Sequence, residues 1–274
     1  MMGFKAFYAH VAGTVFSLAM VTSGSLQAET LRIGGTGVAL GGMALLAEAF
    51  EKTHEGTTIT VLPSLGSSGG VRALTAGAID LSVSSRALKA AETEKGAEAT
   101  LYATTSVAIV TSKMTTADTI TLEQLEQMYA GEITQWPSGQ PVRVVLRPKN
   151  ETDTKILVSL SDDMAVAMDA AQERPGMVRA TNDQENAEML ETIEGSLGVV
   201  ALGQIATENR QLKILTHNDS PTSSGEFAQI ELYSKELFVV QTQNPSDLAK
   251  LFVEFIFSKQ AQSILSATDH TPKG

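Results

Sequence analysis

The sequence predicts an α/β fold of mostly parallel sheets flanked by helices. Three observations carry this. Apolar, β-branched segments of strand length alternate with segments of helical period. Glycine and serine clusters follow several strands, at the edge where open α/β sheets bind ligands. Apolar residues are 43% and charged residues 19% of 274, enough to bury a core in one large or two moderate domains.

Residues 1–28 read as a secretory signal. Lys5 supplies the positive start, and Val11 to Val21 is an apolar stretch too short to span a bilayer. Ser23, Gly24, Ser25 and Ala28 are small, and cleavage is expected after Ala28 or after Ser25. Export to a periplasm follows as the expectation.

Thr30 to Gly34 alternates as a strand and runs into Gly34-Gly-Thr-Gly37. Leu40, Met43, Ala47 and Phe50 then share one helical face. Thr57 to Leu62 is a β-branched strand, Pro63 to Gly70 a turn, and Val71, Leu74 and Ala78 mark a helix. Ala78 to Val83 and Ser106 to Val110 read as strands. Thr121 and Gln124 have capping-box spacing, with Leu122, Leu125 and Met128 on the apolar side. Val142 to Leu146 is a strand leading to Arg147, and a helix starts near Thr152 or Asp153. Asp183 to Ile193 reads as helix and Leu197 to Ala201 as strand. Pro221 to Gly225 reads as a surface loop. Leu248, Leu251, Phe252, Phe255 and Ile256 form an amphipathic helix face.

A net charge of −11 argues against a general nucleic-acid binder, which needs clustered Lys and Arg. It leaves room for a small anion, which needs only a few aimed donors. The absence of cysteine removes disulfides, thiolate nucleophiles and thiolate metal sites. The four histidines form no HExxH or HxH, so no metal and no cofactor is expected.

Several turns are built to hold an anion. Ser64-Leu-Gly-Ser-Ser-Gly-Gly-Val71 lies between a strand and a helix, where backbone N–H groups converge and the helix end favours negative charge. Ser67 and Ser68 can cap that helix or donate, and Gly69 and Gly70 can offer amides. Thr36 and Gly37 precede the first helix, and Ser85 and Arg86 leave the third strand. Arg147 leaves the Val142 strand, with Thr152 and Thr154 just beyond. A guanidinium can grip two oxygens of one oxyanion. The loop lacks the Gly-Lys-Ser/Thr ending of a P-loop, Gly34 to Gly37 lacks dinucleotide spacing, and no nucleophile–base pair has recognisable spacing. The pattern describes an oxyanion pocket rather than an active site, so no enzyme activity is expected.

Leu65-Gly-Ser-Ser-Gly-Gly-Val-Arg-Ala-Leu-Thr-Ala-Gly-Ala-Ile-Asp-Leu-Ser-Val-Ser-Ser85 resembles the phosphate-binding proteins of ABC importers. Met128-Tyr-Ala-Gly-Glu-Ile-Thr-Gln-Trp136 is similar to the family's Gly-x-Ile-x-x-Trp segment, where Trp136 reads as a buried packing residue. Gly195-Ser-Leu-Gly-Val-Val200 follows the family pattern with departures.

The resemblance implies a two-lobed, type II periplasmic-binding-protein fold with a ligand cleft. The chain would cross between lobes near residues 104–112 and 230–240. Residues 29–106 and 235–274 would form one lobe and 107–234 the other. Ser67 falls on the family's ligand serine, Thr36 or Gly37 on its first-loop threonine, and Arg147 on its cleft arginine. Ser85 stands where phosphate binders carry an acid, and Asn150-Glu-Thr-Asp-Thr154 replaces their Ser-Gly-Thr. Glu151 and Asp153 then either cap a helix or face the cleft, where they oppose an anion or contact a cationic group on a larger ligand. Asp80 is expected to bond locally. The implied ligand is a small oxyanion, phosphate first; the implied partner is an ABC permease, with the binding protein a monomer. Alternatives are another oxyanion or anionic ligand, or a sensory module of the same fold that presents ligand state to a receptor.

Overall fold

The computed structural model describes residues 29–217 and 233–273. The signal assigned to 1–28 and the loop assigned to 221–225 lie outside the described residues. The chain opens with β1 (Glu29–Gly35), α1 (Gly37–Glu51), β2 (Thr57–Val61), α2 (Gly66–Thr75), β3 (Leu81–Ser84) and α3 (Ala90–Thr93). A 16-residue strand β4 (Ala97–Ser112) follows, then β5 (Thr119–Ile120), α4 (Leu122–Ala130), β6 (Arg143–Leu146), α5 (Thr152–Val158) and α6 (Asp162–Glu173). Next come β7 (Val178–Arg179), α7 (Asp183–Thr192), β8 (Ser196–Ala201), α8 (Leu202–Thr207), β9 (Leu212–Ile214) and β10 (Thr216–His217). Last are β11 (Ser234–Thr242), α9 (Asp247–Ile256), α10 (Lys259–Ser266) and β12 (Thr271–Pro272).

The main sheet runs β2-β1-β3-β11-β4-β8-β6-β7. β1 pairs parallel with β2 and β3, and β6 pairs parallel with β7 and β8. Two antiparallel strands, β11 and β4, join these sets. Ala97 to Ser106 of β4 pair with β11, whereas Val107 to Ser112 pair with β8 and β9. One long strand therefore belongs to both halves.

Each half is covered on both faces, which is why its parallel strands read as near-continuous apolar runs. Leu31, Ile33 and Val83 pack under α1 and α9, while Ile79 and Val240 pack with Val71 and Leu74 of α2. In the other half, Val144, Leu146, Leu197 and Val199 face α4, α5 and α6. Val145 and Val200 face Ala187 and Leu190 of α7. Period-2 alternation within the strands splits the two faces.

The α1 face formed by Leu40, Met43, Ala47 and Phe50 is buried as predicted. The Thr121 capping box forms with both reciprocal bonds. Asp80 bonds locally, accepting from Arg32 N at 2.7 Å. Trp136 is buried and donates Nε1 to Gly195 O at 3.0 Å. Gly195 must be glycine: φ is +72° and a Cβ would lie 2.1 Å from Pro141 O.

Four local expectations are corrected. The strand placed at Ser106 to Val110 begins at Ala97, because Thr100, Thr104 and Thr105 pair with β11 within a segment that forms no apolar run. The strand placed from Ala78 begins at Leu81, since Ala76 to Asp80 first close the turn after α2. The turn placed at 63–70 ends at Gly66, whose φ of +65° lets α2 start there. Leu251 of α9 is 47% exposed, because i, i+4, i+8 spacing buries Leu248, Phe252 and Ile256 instead.

His270 is buried beside α8 and α1; a Cβ on Gly203 would meet its Nε2 at 2.4 Å. Its Nδ1 lies 3.2 Å from Thr268 Oγ1, and Nε2 has no hydrogen-bond partner. Burial pushes its pKa below the usual histidine value. The folded state thus resists a proton that the unfolded state accepts. This contribution to stability is present above about pH 6.5 and is lost as pH falls below it. The melting temperature should fall on acidification, and by less in His270→Gln; equal acid sensitivity of the two proteins would reject this role.

Candidate functional site

Close backbone approach creates the site. Gly35 pairs with Val83 across β1 and β3, and a Cβ there would lie 2.0 Å from Val83 O. A Cβ on Gly70 would lie 2.4 Å from Ser82 Oγ and 2.6 Å from Gly35 Cα. These glycines let α2 settle onto the strand ends, which brings Ser67 to the end of β3.

Four hydroxyls from four segments converge there. Thr36 Oγ1 donates to Ser85 Oγ at 3.2 Å, and Ser67 Oγ lies 3.3 Å from the same oxygen. Ser85 N donates to Ser67 Oγ at 3.1 Å. Thr152 Oγ1, from the start of α5 in the other half, lies 3.4 Å from Ser85 Oγ. Thr36 and Ser85 are buried, and Ser67 and Thr152 are half-buried. Each hydroxyl carries one proton and two acceptor sites, and rotates to suit its partner. The cluster can therefore turn its protons toward an anion.

Beside it lies a buried charge cluster. Arg147, Asp153, Asp183 and Lys235 are 5%, 3%, 7% and 3% exposed. Lys235 Nζ lies 2.5 Å from Asp153 Oδ1 and 3.7 Å from Asp183 Oδ1. Arg147 Nη2 lies 3.4 Å from Asp183 Oδ1, and Arg147 Nε lies 3.7 Å from Asp153 Oδ2. Arg147 Nη1 also donates to Ala180 O at 3.2 Å, and Glu151 stands 3.7 Å from Nη2. Burial alone would lower the Lys235 pKa. Asp153, then Asp183, outweigh burial and hold it above the usual lysine value. Burial, with Asp153 adding to it, pushes the Tyr129 phenol up.

Thr36, Ser67, Ser85 and Thr152 thus meet, with Arg147 in the adjoining charge cluster. Other predicted residues do different work. Gly37 is a point of close approach: its carbonyl accepts from Gln184 Nε2 at 2.9 Å. Arg86 turns to the rim, donating to Glu92 at 2.7 and 2.9 Å and to Ser68 Oγ at 2.9 Å. The bonds from Arg86 hold the Glu92 carboxyl below its usual pKa. Thr154 Oγ1 is committed to Arg147 O and Pro148 O at 3.2 and 3.0 Å.

Neither Ser67 nor Ser68 caps α2, whose N-cap is Leu65 with no side-chain bond. A start at Gly66 puts Ser67 and Ser68, rather than Gly69 and Gly70, among the amides without intrahelical partners. Asp153 was expected to cap a helix or face the cleft; it belongs to the buried charge cluster, held by Lys235.

Asp183 and Lys235 were missed. Asp183 follows Asn182 at a helix start and reads as an ordinary acidic first turn. Lys235 carried a usable signal, because it shares the inward period-2 face of β11 with Leu237 and Val239. Among the described residues, no group of three or more His, Asp or Glu side chains could hold a metal ion. No helix there is long and apolar enough to cross a membrane.

A family pattern for the PBP superfamily domain matches residues 21–260. The chain belongs to the PBP superfamily. Among curated PBP relatives, "Phosphate-binding protein PstS" from Borreliella burgdorferi is 25% identical over 79% of this chain and 80% of its own length. "Phosphate-binding protein PstS 2" from Streptococcus agalactiae is 29% identical over 34% of this chain, so the chain spans about a third (32%) of that relative's length. A solved substrate-binding protein of a putative phosphate ABC transporter from Clostridium perfringens, with bound phosphate, superposes with a TM-score of 0.72. It is 20% identical, over 90% of this chain and all (100%) of that one. A periplasmic molybdate-binding protein from Azotobacter vinelandii gives a TM-score of 0.61 at 18% identity, over 89% of this chain and 100% of its own. These neighbours share the two-lobed α/β fold of the PBP superfamily.

Proposed function

We propose that this protein is an exported solute-binding protein that captures a small oxyanion, inorganic phosphate first, for an ABC importer. The observation that carries this is the convergence of Thr36, Ser67 and Thr152 on Ser85, with their hydroxyl oxygens 3.2–3.4 Å from Ser85 Oγ. Three of these hydroxyls come from the β1–β3 half and one from the β6–β8 half. A small ligand gripped by all four would bridge the halves. Arg147 supplies the cation, and the Ser67 and Ser68 amides add helix-end donors. The cluster offers donors and charge but no nucleophile paired with a base, which suits binding without turnover.

The lobes in this reading are residues 29–106 with 235–274, and 107–234. The bond from Val107 N to Tyr233 O, at 2.9 Å, supports two neighbouring crossings. Ligand-linked closure would present one defined shape to a membrane permease. In this reading residues 1–28 direct export to the periplasm, where the protein acts as a monomer with no nucleic-acid partner. The names of the PstS relatives support phosphate as the first ligand to test.

Titration calorimetry of the protein lacking residues 1–28 tests this, with phosphate, sulfate, molybdate and tungstate in turn. Phosphate should give a saturable one-site isotherm. Heat from none of the four would overturn the oxyanion reading.

A further inference from the structure

Asp183 holds the groups an oxyanion needs. Its Oδ2 accepts from Val38 N at 3.1 Å, in the first turn of α1. Its Oδ1 lies 3.4 Å from Arg147 Nη2 and 3.7 Å from Lys235 Nζ. One buried carboxylate therefore engages an amide of α1, the guanidinium after β6 and the ammonium of β11. The approach is close: a Cβ on Gly37 would lie 2.7 Å from Asp183 Oδ2 and 2.4 Å from Gln184 Oε1.

Charge makes these contacts competitive. Arg147 and Lys235 face three carboxylates, the buried Asp153 and Asp183 and the half-buried Glu151, so the cluster has no surplus positive charge for an arriving anion. Carboxylate and oxyanion both present oxygens to N–H donors, and like charges at this burial repel strongly. Arg147 nevertheless keeps a donor without a hydrogen bond, its buried Nε, which stands 3.7 Å from Asp153 Oδ2.

Resting on the oxyanion reading above, we propose that Asp183 is a resident internal anion that sets ligand affinity. It competes with the bound oxyanion for Val38 N–H and Arg147, so capture is an exchange of one anion for another. Removing its charge weakens its hold on the guanidinium and on Val38 N–H while leaving the four hydroxyls in place.

The test compares phosphate affinity in wild type, Asp183→Asn and Asp183→Ser, with thermal melts alongside. Both variants retain an oxygen that can accept from Val38 N. Phosphate binding should tighten about tenfold in each although the protein melts lower. A residue acting only as a structural cap predicts the opposite, lower stability with equal or weaker binding. Gln184→Ala removes the neighbouring tie to Gly37 O without changing charge and should not tighten binding. Wild-type binding with unchanged or weaker affinity in both Asp183 variants overturns this proposal alone. Tightening by Gln184→Ala to the same extent also overturns it, because loosening rather than charge would then be the cause. Phosphate binding by the variants but not by wild type supports it. An absence of heat in every protein with all four oxyanions overturns the oxyanion reading, and this proposal with it.

Discussion

Arg147→Ala should weaken phosphate binding by about 100-fold or more and lower stability as well. The guanidinium is buried, and its partners are Asp183, Asp153 and the Ala180 carbonyl. Truncation leaves two buried carboxylates facing Lys235 alone. Breaking a buried ion pair from one side costs about 3–5 kcal/mol, because the remaining charge stays desolvated. An incoming oxyanion then meets a net negative neighbourhood without its fork of donors. Arg147→Lys keeps the charge but loses the planar fork, and should fall between the two. Calorimetry on protein shown to be folded by a denaturant melt separates the effects. Affinity equal to wild type in folded Arg147→Ala would remove this residue from the binding site.

Lys235→Met should destabilise the protein by about 3–5 kcal/mol near neutral pH, read from urea unfolding. Methionine matches the length of the buried stem but leaves Asp153 Oδ1 without the ammonium 2.5 Å away. Arg147 cannot compensate, since its Nε stands 3.7 Å from Asp153 Oδ2. A pH signature accompanies this loss. Asp153 and Asp183 raise the folded-state pKa of Lys235 despite burial. The contribution of Lys235 is therefore fully present below the unfolded value of about 10.4, and is lost as pH rises through the higher folded value. Wild type should lose stability above about pH 10.4 more steeply than Lys235→Met. Parallel alkaline profiles, or an unchanged urea midpoint in the variant, would show that the ammonium is not a structural charge.

The two residues differ in how readable they were. Arg147 follows a β-branched strand directly, and arginine at a strand end beside a hydroxyl-rich helix start is a local pattern. Lys235 lies in an alternating strand, where an inward lysine makes sense only once its acid partners are known. Arg86 shows the contrast. It has the same local setting as Arg147, but Glu92 six residues on captures both its terminal nitrogens. Sequence position alone could not separate an arginine of the buried charge cluster from one captured by a nearby glutamate.

The alternation of strands and helices, the glycine turns at strand ends, and the placement of Ser67, Ser85 and Arg147 at those turns were all legible in residue order. These follow from backbone chemistry and periodicity, which act over a few residues. Which donors meet, and which charges are already matched, emerged only in the folded chain. Asp183 reaches Val38 across 145 residues, and Lys235 of β11 reaches Asp153 of α5. Electrostatic balance depends on distance through a low-dielectric interior, and separation along the chain does not report that distance.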